Sequence, residues 1–172
     1  MTDDTPTDDN RTDPPVTDGG TDAPTGPLAP GDIDAESPFT LPGFFDALAD
    51  DRLLAAVCTD CDNAMLPPRT ACYDCGSRAV TIEEQPRAGT VVSFTEVHRP
   101  PSAFADLAPF PVAVVELDSG ARLTGRVDAD FDALEIDASV ELVVRDPVAE
   151  GIDPDAALSY EADWPLHVFE LR

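Results

Sequence analysis

Cys58-Thr-Asp-Cys61, ten intervening residues and Cys72-Tyr-Asp-Cys75 contain every cysteine of this 172-residue chain. In each C-x2-C pair a tight turn brings two sulfurs to one point, and a short connection brings the second pair to the first. Two disulfides are a competing reading, but they suit secreted chains. A redox C-x-x-C is another; it belongs in a βαβ setting and would explain only one pair. Turn-forming residues follow both pairs, Asp62 and Asn63 after the first and Gly76 after the second. Gly76 suits a left-handed backbone position, which Asp62 fills less comfortably. The stretch therefore predicts a metal site at Cys58, Cys61, Cys72 and Cys75, with zinc favoured over iron. Four thiolates leave no open coordination position, so the metal is expected to hold structure rather than to hydrolyse a substrate.

On either side of this stretch the chain changes character. Residues 1–38 are Asp, Thr, Pro and Gly with almost no large apolar side chains. Such a segment cannot bury enough surface to offset the entropy of ordering it, and it reads as a disordered acidic tail. A helix is expected over 39–52, with Thr40 as N-cap and Pro42 in the first turn. Phe44, Phe45 and Leu48 then share one face, which either packs on the domain or docks on a partner. Residues 53–86 read as a ribbon around the metal, with strands at 53–57 and 80–84, and Pro67-Pro68 ending any ladder between them. From 87 to 172 short β-type runs alternate with turn signals: 90–98, 111–117, 121–127, 139–144 and 166–171. Five strands after a ribbon point to an OB-type barrel, a partly open Greek key. The fold class is mainly β: a short N-terminal helix, a zinc ribbon, and a five-stranded OB-fold.

The formal net charge is −25, from 35 acidic and 10 basic residues, and every basic residue is Arg. Residues 1–38 contribute −9, which leaves −16 on the remainder. Acid spread over the whole chain, with no Lys, suggests a surface adapted to very high salt rather than a dock for one basic partner. At molar salt the Debye length is about 3 Å, so the negative total does not by itself exclude a polyanion. High salt does weaken phosphate-driven binding, and a nucleic-acid reader needs a dense Arg cluster that the scattered ten do not form. No basic segment backed by an apolar stretch opens the chain, and the longest apolar runs are too short to span a bilayer. A cytoplasmic location with reduced thiols, and no membrane contact, is the expectation.

Several segments together resemble a known family, the "domain of unknown function thirty-five" proteins. They are the helix ending in Asp51-Arg-Leu-Leu54, the first cysteine pair with Leu66-Pro-Pro-Arg69, and the second pair with Gly76. Gly89-Thr-Val-Val-Ser-Phe-Thr-Glu-Val-His-Arg-Pro100, Val112 to Gly120, Leu123-Thr-Gly-Arg-Val127 and Leu166-His-Val-Phe169 follow in the family's order. The similarity covers about residues 42 to 172. Two features depart from the pattern: Phe44-Phe45 where Trp is common, and Asp62 where Gly is expected; neither removes a ligand. The resemblance implies a rubredoxin-like zinc ribbon and an OB-fold in an accessory subunit of acyl-CoA metabolism. Its partners would be a thiolase, a hydroxymethylglutaryl-CoA (HMG-CoA) synthase, or a hydratase or aldolase-type enzyme, and it would bind or pass the CoA thioester.

The residues themselves offer little catalytic chemistry. There are two histidines, His98 and His167, no cysteine left over once the metal is bound, and no G-x-S-x-G elbow; without Lys there is no P-loop. Arg69, Arg99, Arg122 and Arg126 are candidates for CoA phosphates, with pairing to the many carboxylates as the alternative. Arg99, with His98 and Phe104 on the same loop region, is the expected ligand-facing group. The reading is a non-catalytic accessory subunit with structural zinc and an acyl-CoA ligand. The alternative, a single-stranded nucleic-acid binder, needs aromatic platforms and a basic groove, and aromatics are 6% of the chain.

Overall fold

The computed structural model describes residues 26–27, 33–34, 36–152 and 164–172. The helix α1 (Leu41–Ala49) starts as its sequence dictates: the Thr40 side chain accepts a hydrogen bond from the Gly43 N–H at 3.2 Å, and Pro42 occupies the first turn. Its apolar face packs on this chain. Phe44 and Leu48 are buried in the main core, and the Phe45 ring stacks on Trp164 with centroids 4.3 Å apart.

A four-stranded antiparallel sheet comes next, in the order β1-β4-β2-β3: β1 (Gly26–Pro27), β2 (Leu54–Cys58), β3 (Ala64–Met65) and β4 (Ala79–Glu84). The two-residue β3 ends at Met65, just before Leu66 and the two prolines that cannot donate to a ladder. Gly26 and Pro27 lie inside the stretch expected to be a tail, yet they pair with Val80 and Ala79. Composition overlooked them because β4 exposes an open edge, and backbone groups alone suffice to join it. Residues 1–25, 28–32 and 35 of that expected tail lie outside the described residues.

The remaining strands form a closed barrel, β5-β6-β7-β9-β8: β5 (Ala88–Val97), β6 (Phe110–Leu117), β7 (Arg122–Asp128), β8 (Ser139–Arg145) and β9 (Leu166–Leu171). β7 and β9 pair in parallel and every other neighbour is antiparallel, so the chain makes the five-stranded OB-fold. The barrel is closed, where the sequence suggested a partly open one. β8 returns to β5 through Ala88–Glu141, Gly89–Val140 and Thr90–Ser139, and Val91 extends the seam by donating to Ala138 O at 3.0 Å.

Strict alternation along β6 sends Pro111, Ala113, Val115 and Leu117 inward. Ala113, Val115 and Leu117 join Val91, Val140, Leu142 and Phe169 in one core, to which α1 adds Phe44 and Leu48. Helix and barrel are therefore one packing unit. At Gly89 the backbone of β6 leaves no room for a side chain: a Cβ there would lie 2.4 Å from Glu116 O. Among the described residues no helix is long and apolar enough to cross a membrane.

Candidate metal centre and apolar pocket

Each cysteine pair sits in a loop closed by the same two backbone bonds. Cys58 O accepts from the Asp62 N–H at 2.9 Å, and Cys58 N–H donates to Asn63 O at 3.0 Å. In the second loop Cys72 O accepts from the Gly76 N–H at 3.0 Å, and Cys72 N–H donates to Ser77 O at 2.8 Å. Asp62 (φ 59°) and Gly76 (φ 77°) hold the left-handed position that both turns require. Asp is among the few side chains that tolerate it.

This repeated geometry gathers the four sulfurs within 4.8 Å of one another. Cys58–Cys75 and Cys61–Cys72 are each 3.6 Å apart, too long for disulfides. Zn–S bonds of about 2.3 Å in a tetrahedron put sulfurs roughly 3.8 Å apart, so the donor set has the size of a four-cysteine zinc centre. The electrostatics call for a cation. The backbone N–H of Cys75, then against burial those of Asp74 and the Asn63 amide, pull the Cys72 thiol down to about 6. The Asn63 N–H also favours the Cys61 thiolate, but the neighbouring sulfurs and burial push that thiol up to about 12. Four thiolates this close are mutually stable only around a positive charge. The residues fit structural zinc, held by Cys58, Cys61, Cys72 and Cys75.

A second feature was not foreseen from the sequence. An apolar pocket of about 800 Å³ opens between α1, the β5–β6 loop, the β8–β9 loop and the barrel wall. The β5–β6 loop carries a 3-10 turn at Ser102–Leu107, whose Ala103 and Phe104 line this space. Phe45 and Trp164 bound it on the helix side, and Val97, Val112 and His167 lie in its wall. His167 Nε2 is 2.9 Å from Thr124 O and therefore carries the ring proton as donor. Burial lowers the pKa of His167, and the bond to Thr124 opposes this only in part, so the ring stays neutral near pH 7.

Of the three residues expected to face a ligand, the structure brings only Phe104 to the pocket. His98 lies exposed at the end of β5 with Nε2 2.7 Å from Glu96, and Arg99 is exposed beside it. Neither lines the pocket. Two other candidate arginines are paired within the chain: Arg122 with Glu116 at 2.8 Å and Arg126 with Glu150. Glu150 also takes Arg145 at 2.9 Å, and Arg145 reaches Asp128 and Glu170. Burial alone would raise the Glu150 carboxyl, but the hydrogen bonds from Arg145 and Arg126 outweigh it and lower its pKa. This network pins the loop after β8 to the barrel beside the pocket. No spacing rule could reveal it, because it joins side chains of three separate strands and the loop after β8.

Comparison with known proteins agrees with this architecture. Residues 45–81 match the ChsH2 rubredoxin-like zinc ribbon domain, and residues 83–145 match the ChsH2 C-terminal OB-fold domain. Over 112 residues the chain is 38% identical to a DUF35 domain-containing scaffold protein of Methanothermobacter thermautotrophicus, covering 63% of this chain and 82% of that one. The chain belongs to the DUF35 family. A DUF35 domain-containing scaffold protein of Methanocaldococcus jannaschii is 32% identical over 112 residues, covering 63% of this chain and 79% of that protein. Among solved structures, a chain of "Ltp2-ChsH2(DUF35) aldolase" superposes with a TM-score of 0.57 at 30% identity, covering 75% of this chain and 91% of that one. This DUF35 chain thus carries the zinc-ribbon and OB-fold domains that its sequence predicts, plus the strand β9 beyond the matched region.

Proposed function

We propose that this DUF35 protein is a non-catalytic accessory subunit that scaffolds acyl-CoA enzymes, a thiolase, an HMG-CoA synthase or an aldolase-type relative, and binds or passes the CoA thioester. The observation that carries the reading is the likeness to nearly the full length of a chain in a structure named for Ltp2, ChsH2 and an aldolase. The name "scaffold protein" carried by two relatives supports it further. The donor set supports a structural role for the metal, since four cysteines fill a tetrahedral zinc and leave no position for substrate. In this reading Phe104 meets the ligand inside the pocket, while His98 and Arg99 stand on the exposed approach to it, where Arg99 suits a CoA phosphate. The Lys-free acidic composition supports a salt-rich cytoplasm as the setting of this complex.

The test is capture of the tagged chain from its native host at the host's own salt, followed by mass spectrometry. A thiolase, synthase or aldolase-type enzyme recovered in stoichiometric amount is the expected result. A chain recovered alone, or with single-stranded nucleic acid, contradicts the reading.

A further inference from the structure

Exposure divides the four sulfurs of the ribbon unequally. Cys58 and Cys72 are buried in the small core with Ala56, Met65 and Val80, Cys61 is half-buried, and Cys75 is exposed. The second cysteine loop opens outward around Cys75. Tyr73 is 68% exposed, Asp74 and Gly76 are exposed, and a Cβ at Gly76 would meet nothing within 4 Å. The N–H donors are distributed the other way. The Asp74 N–H reaches Cys72 Sγ at 3.4 Å and the Asn63 side-chain amide reaches it at 3.6 Å. Among the described residues Cys75 receives the Ser77 backbone N–H and no side-chain amide. A thiolate is oxidised according to its free charge and its access, and on both counts Cys75 comes first. Cys58 Sγ lies 3.6 Å from Cys75 Sγ, so a movement of about 1.5 Å brings the two to disulfide length. Met65, the sulfur side chain beside the cluster, is 1% exposed and offers no competing target.

We propose that Cys75 is an oxidation site for a small hydroperoxide, with Cys58 as its resolving partner, which makes the ribbon a peroxide-sensitive clasp. The Cys75 thiolate attacks one peroxide oxygen, the O–O bond breaks, and hydroxide leaves with the electron pair, giving a sulfenic acid. The Cys58 thiolate then attacks the sulfenic sulfur, the S–O bond breaks, a second hydroxide leaves, and a Cys58–Cys75 disulfide forms. Two thiolates lose two electrons, and the peroxide takes both. Cys61 and Cys72 remain as a pair of donors, too few to hold the cation, and the small core built around Cys58 and Cys72 loses its staple. The barrel and α1 share a separate core and stay folded. This goes beyond the accessory-subunit reading and does not rest on it.

The test treats the zinc-loaded full chain, at high salt, with limiting hydrogen peroxide and a cyclic 1,3-dione that traps sulfenic acids. A zinc-sensitive dye follows metal release, and peptide mapping locates the adduct and the disulfide. The first adduct is expected on Cys75; without the trap, a Cys58–Cys75 disulfide should appear in step with released zinc. Cys75→His keeps four donors and removes the exposed sulfur, so it should release zinc at least about ten-fold more slowly, while Cys61→His should release it at the parental rate. Should either variant fail to hold zinc, the mapping on the parent chain decides alone.

An adduct spread evenly over the four cysteines, a first adduct on Cys61, or a Cys61–Cys72 disulfide overturns the proposal. Zinc still bound after one equivalent of peroxide has been consumed also overturns it, as does a Cys75→His protein that releases zinc as fast as the parent.

Discussion

Replacing Gly89 with Ala tests the closeness of the barrel wall. Gly89 lies on β5, paired with Leu117 on one side and Val140 on the other. An added Cβ would sit 2.4 Å from Glu116 O, 2.9 Å from Leu117 Cα and 3.0 Å from Glu116 C, all of them backbone atoms. No rotamer can move aside, so β5 and β6 must separate by roughly 1 Å to reach ordinary contact distance. Overpacking of this kind costs about 1–3 kcal/mol. Weakening one ladder hydrogen bond adds about 1 kcal/mol, for a total of about 2–4 kcal/mol. At about 4 °C per kcal/mol for a domain of this size, Tm should fall by roughly 8–16 °C. Far-UV circular dichroism of the zinc-loaded protein reads this directly. Gly76→Ala is the control. Its φ of 77° strains any side chain, but nothing lies within 4 Å, so the loss should stay near 1–2 kcal/mol. A Gly89→Ala protein melting within about 2 °C of the parent, or one more stable than Gly76→Ala, refutes the packing described for the β5–β6 wall.

Three further outcomes follow from other parts of the molecule. The purified chain should carry about one zinc, and stripping it with a chelator should remove amide protection across residues 54–84 before the barrel strands are affected; protection retained without metal would refute the staple role. Phe45→Ala should destabilise the chain by about 1–3 kcal/mol and red-shift Trp164 emission, because it removes the stacked partner from that indole; an unshifted spectrum would contradict the stack. Acid should weaken the fold in two stages. The pKa of His167 is depressed in the folded chain, so its contribution is intact at neutral pH and declines as pH falls below the unfolded value of about 6.5. The Glu150 carboxyl is also depressed, so its share persists above about 4.5 and is lost only below that. Urea titrations across pH should show both limbs, with Glu150→Gln removing the lower one.

The ribbon and barrel were legible because their signals are local. Two C-x2-C pairs with their turn residues fix the sulfur cluster, and period-two alternation in stretches such as 111–117 fixes which side chains face inward. Even the departure at Asp62 fits the same left-handed turn as Gly76. What the sequence withheld depends on tertiary proximity. Gly26 and Pro27 join β4 through backbone groups, which composition does not record. His98, Arg99 and Phe104 are near neighbours along the chain, but the 3-10 turn carries only Phe104 to the pocket. For Arg126 the sequence left phosphate binding and carboxylate pairing both open, and only the fold reveals Glu150 beside it, 24 residues later. For Phe45 the choice between packing and a partner stayed open because nothing near it in sequence announces Trp164.

The central claim is that this chain works as a zinc-stapled subunit beside an acyl-CoA enzyme. Native mass spectrometry of the complex recovered at the host's salt tests it most directly, since it weighs protein, metal and ligand together. The account predicts an assembly containing this chain with about one zinc and a thiolase, synthase or aldolase-type partner. An assembly of this chain with an oligonucleotide, or the chain alone with no metal, would contradict it.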